Sequence, residues 1–595
     1  MNNLAAVERI RCIVDETDAA NLLAKAIFRS PKGRKTNVNN IRLLLIGQLL
    51  AIEESQTTLI SGAYEALTER MDISDQVRLG VKTGPGPNDF INAKSLYNIA
   101  EVIVEGLDYG KLALLKWWPG ECERRYRAVL KVCNLLLDYT AQATEVDDTE
   151  IAADATAVWG WFKGKFLPQP SSAEIAAQSD ELIKEALSSL TTGGAGDSED
   201  LEGAVVVEDE TIFNNLDPDS EWCAKTGKDG QIQRFHGKYA HALVAVPSAR
   251  IEDDPNTRAP IVRRIEVAPA ATGDLVKITL GMIDSLNSIV KLLLIDRHYS
   301  YKKFAQWQSE LIKRGIRQVL DLRSTDHNVL KHPDATYANG SAHCPAVPDE
   351  YFAEQRPGIF GTKEEHFAFQ AKMAAPESYA HVVLEPMNAE GRTKLRCPAR
   401  AGKVACPLYP PSMLVAAEAG LEIVNTHLMN LEPGQELPRC CTQDSFRVTL
   451  PESVAKLNQK FYWASTVWYR SYARRSYVEG VFGNMKNPRT ENLRRGTIQK
   501  NGLVWAQLMV TLIAVSYNVR VIRARHDRME FDPIEHPLLS PDAENRTHRS
   551  LSVEEEAAEF HRLRDASNAT LVTDAVDSAK LARLQQAPPQ HDAVA

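Results

Sequence analysis

The order of apolar and polar positions divides the chain into stretches of different period. Over residues 1–140 apolar residues recur at three- and four-residue steps, as in NIRLLLIGQLLAIEE from Asn40 and SLYNIAEVIVEGL from Ser95, which predicts helices. Thr36 or Asn37 offers an N-cap for the first of these. The loop VKTGPGPND separates the two, and KLALLKWWPGECERRYRAVLKVCNLLLDY carries the helical period on. From Thr149 short strands take over: TEIAADATAV, HGKYAHALVAV and IVRRIEVAPA, then a helix around Asp274 to Leu286. SIVKLLLID, SYKKFAQWQSELIKRGI and RQVLDLR read as a strand, an amphipathic helix closed by Gly315, and a second strand, so the two strands run parallel in one sheet. Asp296 ends the first of them, at the edge where open α/β sheets place their sites.

The rhythm fails over 336–452, a stretch rich in Pro, Gly and Cys that reads as an insertion domain. Helical period returns in VAKLNQKFYWASTVWYRSYARRSYVEGVFGNMKN and stops at Asn487-Pro488, because proline disfavours helix for the residue before it. The layout predicted is a helical N-terminal domain over 1–140, an α/β core in two parts over 145–335 and 453–527, the insertion between them, and a partly disordered tail over 528–595. Within the first part of the core, 185–224 contains no Lys or Arg and includes TTGGAGDSEDLEG, the composition of an acidic linker.

Composition adds little beyond a globular chain: 44% hydrophobic and 25% charged residues exclude wholesale disorder and fibrous proteins. The longest apolar run, Leu503 to Val519, falls short of the ~20 residues of a membrane span and holds Gln507 and Asn518, so it predicts a buried core helix. The N-terminus has no apolar h-region, and a cytoplasmic chain is expected. Charge changes the picture more. The net charge is -9, yet between Lys456 and Arg525 thirteen Lys and Arg face two acids, Glu479 and Glu491, a local +11 that leaves -20 for the remainder. A basic segment in an acidic chain fits phosphate binding at one place, though a solvated basic helix face has the same composition.

Within that segment Tyr472, Arg475, Glu479 and Lys486 are spaced by three, four and seven residues. On an unbroken helix, at about 100° per residue, they fall within roughly a 60° arc. Guanidinium, carboxylate and ammonium on one stripe suit phosphate and metal together; a salt-bridged surface helix is the plain alternative. Trp463, Trp468, Tyr469 and Phe482 are interleaved with them.

The spacing Y-(2)-R-(3)-E-(6)-K resembles the signature of the YREK group of DDE transposases of bacterial insertion sequences. Upstream, IDRHYS resembles that family's D-R-G-Y segment, with His298 in place of the glycine, and HGKYAHALVAV resembles its G-Y-K-x-H-x-x-V strand. Downstream, NPRTENLRRGTIQKNG resembles the basic segment that follows the family's glutamate, and contains Arg494 and Arg495. The resemblance runs with gaps from Thr149 to Arg525.

The resemblance implies a ribonuclease-H-like mixed sheet flanked by helices, with the first carboxylate on its first strand. Asp154, in a D-x-T context, stands there; Asp147, Asp148, Asp217 and Asp219 are rivals. Asp154, Asp296 and Glu479 would then be both catalytic residues and ligands of two Mg²⁺ or Mn²⁺ ions, because in-line phosphodiester chemistry uses one metal at the attacking and one at the leaving oxygen. Arg475 and Lys486 would hold phosphates, Tyr472 would contact the backbone or stack on a displaced base, and Arg494 and Arg495 would bind DNA. The implied activity is strand cleavage and strand transfer at terminal inverted repeats. The implied partners are transposon-end and target duplex DNA and at least one further copy of the chain, at the bacterial nucleoid and with no membrane.

Two other classes keep parts of this pattern. A domesticated, catalytically silent DNA-binding protein needs the basic face but not all three acids. A ribonuclease-H-like nuclease without strand transfer needs the acids but has less reason to keep the whole stripe. The first 140 residues fit a DNA-binding module and a helical scaffold equally. His343, Cys344, Cys397, Cys406, Cys440 and Cys441 provide enough ligands for structural Zn²⁺, but the spacings lack C-x2-C, and free or buried thiols are the preferred reading.

Overall fold

The computed structural model describes residues 4–28, 34–161, 217–226, 232–247, 259–271, 275–353, 357, 361–429, 431, 434–529, 536–539 and 552–566. Most of the acidic stretch 185–224 and much of the tail lie outside the described residues. Eight helices come first: α1 (Leu4–Glu16), α2 (Ala19–Ile27), α3 (Arg34–Ser55), α4 (Ile60–Glu65), α5 (Ile73–Leu79), α6 (Ala93–Leu107), α7 (Lys111–Lys116) and α8 (Pro119–Ala141). α3 starts at Arg34, so Thr36 and Asn37 lie in its first turn and do not cap it. Its apolar residues are not confined to one face: Ile41, Leu43 to Ile46 and Leu49 to Ile52 are all buried. A helix apolar all round needs neighbours on every side. α1, α2, α4 and α6 supply them, and Gly47 lets α4 approach so closely that a Cβ there would stand 2.9 Å from the Ala63 carbonyl oxygen.

Six strands form one mixed sheet: β1 (Glu150–Trp159), β2 (Glu221–Thr226), β3 (Ile232–Ala245), β4 (Ile261–Pro269), β5 (Leu292–Ile295) and β6 (Arg317–Leu320). β1 pairs antiparallel with β3 and parallel with β5, and β5 pairs parallel with β6. β2 pairs with the first half of β3, β4 with the second. Gly237 marks the changeover on β3, where a Cβ would lie 2.2 Å from the Val158 carbonyl oxygen. The chain is thus a mixed α/β protein.

α9 (Leu275–Asp284) precedes β5, and between β5 and β6 the expected long helix is cut short. Asp296 caps a 3-10 turn, Arg297–Tyr301, and only α10 (Gln308–Lys313) is α-helical, ended by Gly315 at φ +72°. Buried aromatics explain the break. Tyr299 packs on Trp307 at 4.5 Å between ring centres, and Trp307 Nε1 donates to Gln318 Oε1 on β6 at 3.0 Å, so the segment folds inward.

Residues 335–455 build a second core of their own. The exposed strand β7 (Leu330–His332) leads into it and pairs with β8 (Ala335–Ala338); β9 (Ser341–His343), the helix α11 (Lys363–Tyr379), and a second small sheet of β10 (Val382–Glu385), β11 (Arg392–Arg396) and β12 (Phe446–Thr449) follow. The chain returns through α12 (Thr466–Ala473), α13 (Ser476–Met485) and α14 (Leu503–Met529).

α14 is long and apolar enough to cross a membrane by length and composition, yet it lies inside the protein, against α3, α6, α8 and β4. Through it the helical layer and the sheet share one continuous core. Gln507 and Asn518, in its apolar stretch, serve β4, which among the described residues pairs with no strand beyond β3. Gln507 accepts from Val267 N at 2.7 Å and donates to Ile265 O at 2.9 Å; Asn518 accepts from Val262 N and donates to Val262 O, both at 2.9 Å. The two amides take the place of the missing neighbouring strand.

Candidate active site

Strand register decides which acids meet. β1 and β5 pair in parallel with Ala152 opposite Leu294, so two residues further on Asp154 is level with Asp296. β5 and β6 pair with Ile295 opposite Leu320, so Asp296 is level with Asp321. Asp296 and Asp321 therefore stand at the C-terminal ends of β5 and β6, and Asp154, midway along the longer β1, is level with them, about 4.8 Å from one strand to the next. The sequence reading did not single out Asp321, although RQVLD ends an apolar run on an acid just as VKLLLID does. Its Oδ1 accepts from Trp463 Nε1 at 3.3 Å and from Leu322 N at 3.0 Å.

The helix that crosses β1 is not continuous. α12 ends at Ala473, α13 begins at Ser476, and the junction is tightened: Arg474 N bonds to Ser471 O, Arg475 N to Tyr472 O and Val478 N to Arg475 O, all three residues back. In such a turn residues three apart eclipse. Tyr472 and Arg475 accordingly stand above one another, with the guanidinium 5.9 Å from the ring centre, and the four-residue stripe survives with a different phase. Tyr472 stacks on buried Trp468 at 4.8 Å and 12° between planes, so its ring is a fixed platform.

Arg474 and Arg475 diverge. Arg474 is buried and ties the junction to Glu150 at the start of β1 and to the Pro247 carbonyl. Arg475 turns to the acids: Nη1 donates to Asp154 Oδ2 at 2.9 Å, and Nη2 to Glu479 one turn along. Lys486 Nζ donates to Thr156 Oγ1 at 2.6 Å, on the same face of β1 as Asp154. Arg475 and Lys486 thus contact successive positions, Asp154 and Thr156, on one face of β1. Glu479 is more than half exposed, at 56%. Arg494 and Arg495 are exposed on the segment after α13, which is held to the helical layer by Asn492 Nδ2 on Gln56 O at 2.8 Å.

The electrostatics single out Asp154. Burial, opposed by Arg475 and reinforced by the charges of Asp296 and Glu479, raises its carboxyl to about 6. Burial raises the Tyr472 phenol, and Arg475 holds its proton more tightly because Tyr472, Asp154, Asp296 and Glu479 outweigh its own burial. The rivals of Asp154 are engaged in the scaffold. Asp147 accepts from Thr149 N, Asp148 pairs with Arg263 at 2.7 Å in the interior, Asp217 with Lys238 at 2.6 Å, and Asp219 accepts from Lys111 N at 2.7 Å.

No family model, curated protein or solved structure matches this chain. What the site can do rests on its own geometry. Among the described residues no three His, Cys, Asp or Glu side chains are gathered at the spacing of a bound metal. Arg475 bridges Asp154 and Glu479 and neutralises part of the charge a cation would otherwise meet.

A carboxyl whose folded-state value lies above its unfolded one stabilises the fold fully below the unfolded value and loses that contribution as pH rises through the folded one. For Asp154 the window runs from about 4 to about 6. In chelator, warming the wild type at about pH 7.5 rather than about pH 5 is therefore expected to cost it more thermal stability than it costs Asp154→Asn. Equal shifts in the two proteins, followed by circular dichroism, would refute the burial of this charge.

Proposed function

We propose that the chain is a DDE-type DNA transposase with a ribonuclease-H-like core, which cleaves and joins DNA at the inverted-repeat ends of an insertion sequence. One observation carries the reading: Asp154 on the first strand of the sheet, Asp296 level with it on the neighbouring parallel strand, and Glu479 on the crossing helix share one electrostatic field around Arg475. Three acids from positions 154, 296 and 479 have no structural need of each other; their mutual repulsion is a cost that a functional site accepts.

The donor set suits Mg²⁺ or Mn²⁺, being three hard carboxylates; burial first, then the charges of Asp296 and Glu479, raise the proton affinity of Asp154. Two such ions, held by Asp154, Asp296 and Glu479, would supply activation of the attacking oxygen and stabilisation of the leaving oxygen. Asp154 must give up its proton to serve as a ligand, which favours the reaction above about pH 6. Arg475, which now donates to Asp154 and Glu479, would supply a planar fork for a phosphate if those acids held the ions. Lys486 adds a second positive charge beside Thr156, and the Tyr472 ring, fixed on Trp468, offers a face to a base or sugar. Arg494 and Arg495 extend the basic track along which the duplex would lie.

The test is incubation of the full chain with labelled terminal-repeat DNA, a target plasmid and Mg²⁺ or Mn²⁺. Nicking at the repeat boundary followed by joining of the freed 3′ end to the plasmid is expected. Cleavage without joining would reassign the chain to the nucleases, and binding without cleavage to silent DNA-binding proteins.

A further inference from the structure

The transposition reading gives no part to a cavity of about 360 Å³ that lies where the second core meets β6, the last strand of the large sheet. The chain leaves the second core alongside that strand: Lys460 N donates to Gln318 O at 3.0 Å, and Gln459 Oε1 accepts from Leu320 N at 3.1 Å. This return segment forms one side of the cavity together with Arg317, the first residue of β6, and residues of α11, β10 and β11 form the other. The volume lies in the range of small-molecule sites, roughly 300–1,000 Å³.

Its lining is unevenly charged. Arg317, Lys403 and Lys460 share it with one acid, Glu377, and among the described residues none of the three cations forms an ion pair. Arg317 Nη2 donates to Asn458 Oδ1 and to Gln459 O, both at 3.2 Å. Lys403 Nζ donates to the Glu377 carbonyl at 3.4 Å, and exposed Lys460 lies over the Phe461 ring, 5.2 Å from its centre. Burial lowers the proton affinity of Arg317 and of Lys403; Glu377 opposes it at Lys403, and no charge opposes it at Arg317. A guanidinium taken from water without a counter-charge is costly, and the fold supplies none.

The unsatisfied uncharged groups point to the same shortage. Gln459 is buried and uses Oε1 for Trp468 Nε1 and Leu320 N, which leaves Nε2 without a hydrogen-bond partner. Buried His381 has none at either ring nitrogen, and burial holds its imidazole down to about 4, so at neutral pH it carries one N–H. Buried donors are normally satisfied, so what this lining lacks is an acceptor carrying negative charge. Met387, Leu395 and Leu450 add apolar surface.

We propose that this cavity binds a small organic phosphate, with the phosphate group held by Arg317, Lys403 and Lys460 and the organic part against the apolar wall. A phosphate monoester carries about -1.5 to -2 charges and three strong acceptor oxygens, which matches three cations less one acid and the unpaired donors. A carboxylate brings one charge and two oxygens, and a phosphodiester of duplex DNA one charge per phosphate, so both leave the lining under-compensated. The planar fork of Arg317 suits two phosphate oxygens at once. The site is separate from the level acids of the large sheet and stands whether or not they cut DNA.

The experiment is isothermal titration calorimetry of the full chain, in buffer free of phosphate, with adenosine 5′-monophosphate, inorganic phosphate and adenosine as probes. Saturable binding of about one nucleotide per chain is expected, with inorganic phosphate competing more weakly and adenosine giving no measurable heat. Arg317→Gln and Lys403→Gln should each weaken nucleotide binding by at least about tenfold. Lys313→Gln, which removes an exposed lysine paired with Glu310, should leave it unchanged. Because a cavity variant can fail to fold, the wild type provides a second reading: the nucleotide should raise its melting temperature and adenosine should not. Absence of saturable binding by both phosphate probes, adenosine binding as tightly as the nucleotide, or unchanged affinity in folded Arg317→Gln and Lys403→Gln would each overturn the assignment. Displacement of the nucleotide by a short blunt duplex would also overturn it, and would assign these cations to the DNA backbone.

Discussion

Asp296→Asn and Glu479→Gln are each expected to lower cleavage of terminal-repeat DNA by about 10³-fold or more, which corresponds to roughly 4 kcal/mol of transition-state stabilisation. Both replacements keep shape and remove charge. Among the described residues the hydrogen bond that Asp296 accepts is a backbone cap from Arg297 N, at 2.6 Å, which the amide oxygen can still accept, and Glu479 is more than half exposed, so neither change should unfold the protein. DNA affinity in a gel shift should hold within a few fold, because Arg475, Lys486, Arg494 and Arg495, the residues proposed to grip phosphate, are untouched. A second signature separates a role at the site from a general disturbance. Asp296 and Glu479 both raise the Asp154 carboxyl, so either neutralisation should let Asp154 ionise at lower pH. Arg475→Ala should do the reverse, since its guanidinium is the largest influence holding that value down. Nicking by Asp296→Asn at a rate near that of the wild type would remove the basis for the proposed function.

Asn518→Leu is expected to destabilise the fold by about 3 kcal/mol, since each buried polar group left unpaired costs roughly 1–3 kcal/mol. The leucine fits the apolar surroundings of α14, but it strands both the N–H and the C=O of Val262 and removes the bond from Asn518 Nδ2 to Thr140 Oγ1. Water cannot make good the loss, because Asn518 and Val262 are fully buried. Sequence alone assigns this change the opposite sign, since it makes an apolar run more apolar. Urea titration followed by tryptophan fluorescence gives the measurement, and an unchanged midpoint would mean that the edge of β4 finds other partners.

Much of the site can be read from short windows of sequence. The period-two segment around Asp154, the apolar run that ends on Asp296, and the three- and four-residue spacings that join Tyr472, Arg475 and Glu479 are all local, and the structure keeps each on the predicted kind of element. The break between α12 and α13 was not legible, because the residues at the junction are ordinary helix formers. It follows from Arg474 being drawn to Glu150 and Pro247, more than 200 residues away. Asp321 is hidden in the sequence for a related reason: one acid at the end of one short strand carries no signal until its neighbours in the sheet are known.

From the sequence by itself follow the types of element, the two stretches with different rhythm, the basic segment, and the acids and bases available to a site. Only the tertiary structure decides that Asp154 and Asp296 are level, that Arg475 lies between Asp154 and Glu479, and that Gln507 and Asn518 close the edge of a sheet. The physical reason is range. Backbone periodicity and turn chemistry are settled by neighbours a few residues apart, whereas strand register, ion pairing and the satisfaction of buried amides depend on which distant segments share a surface.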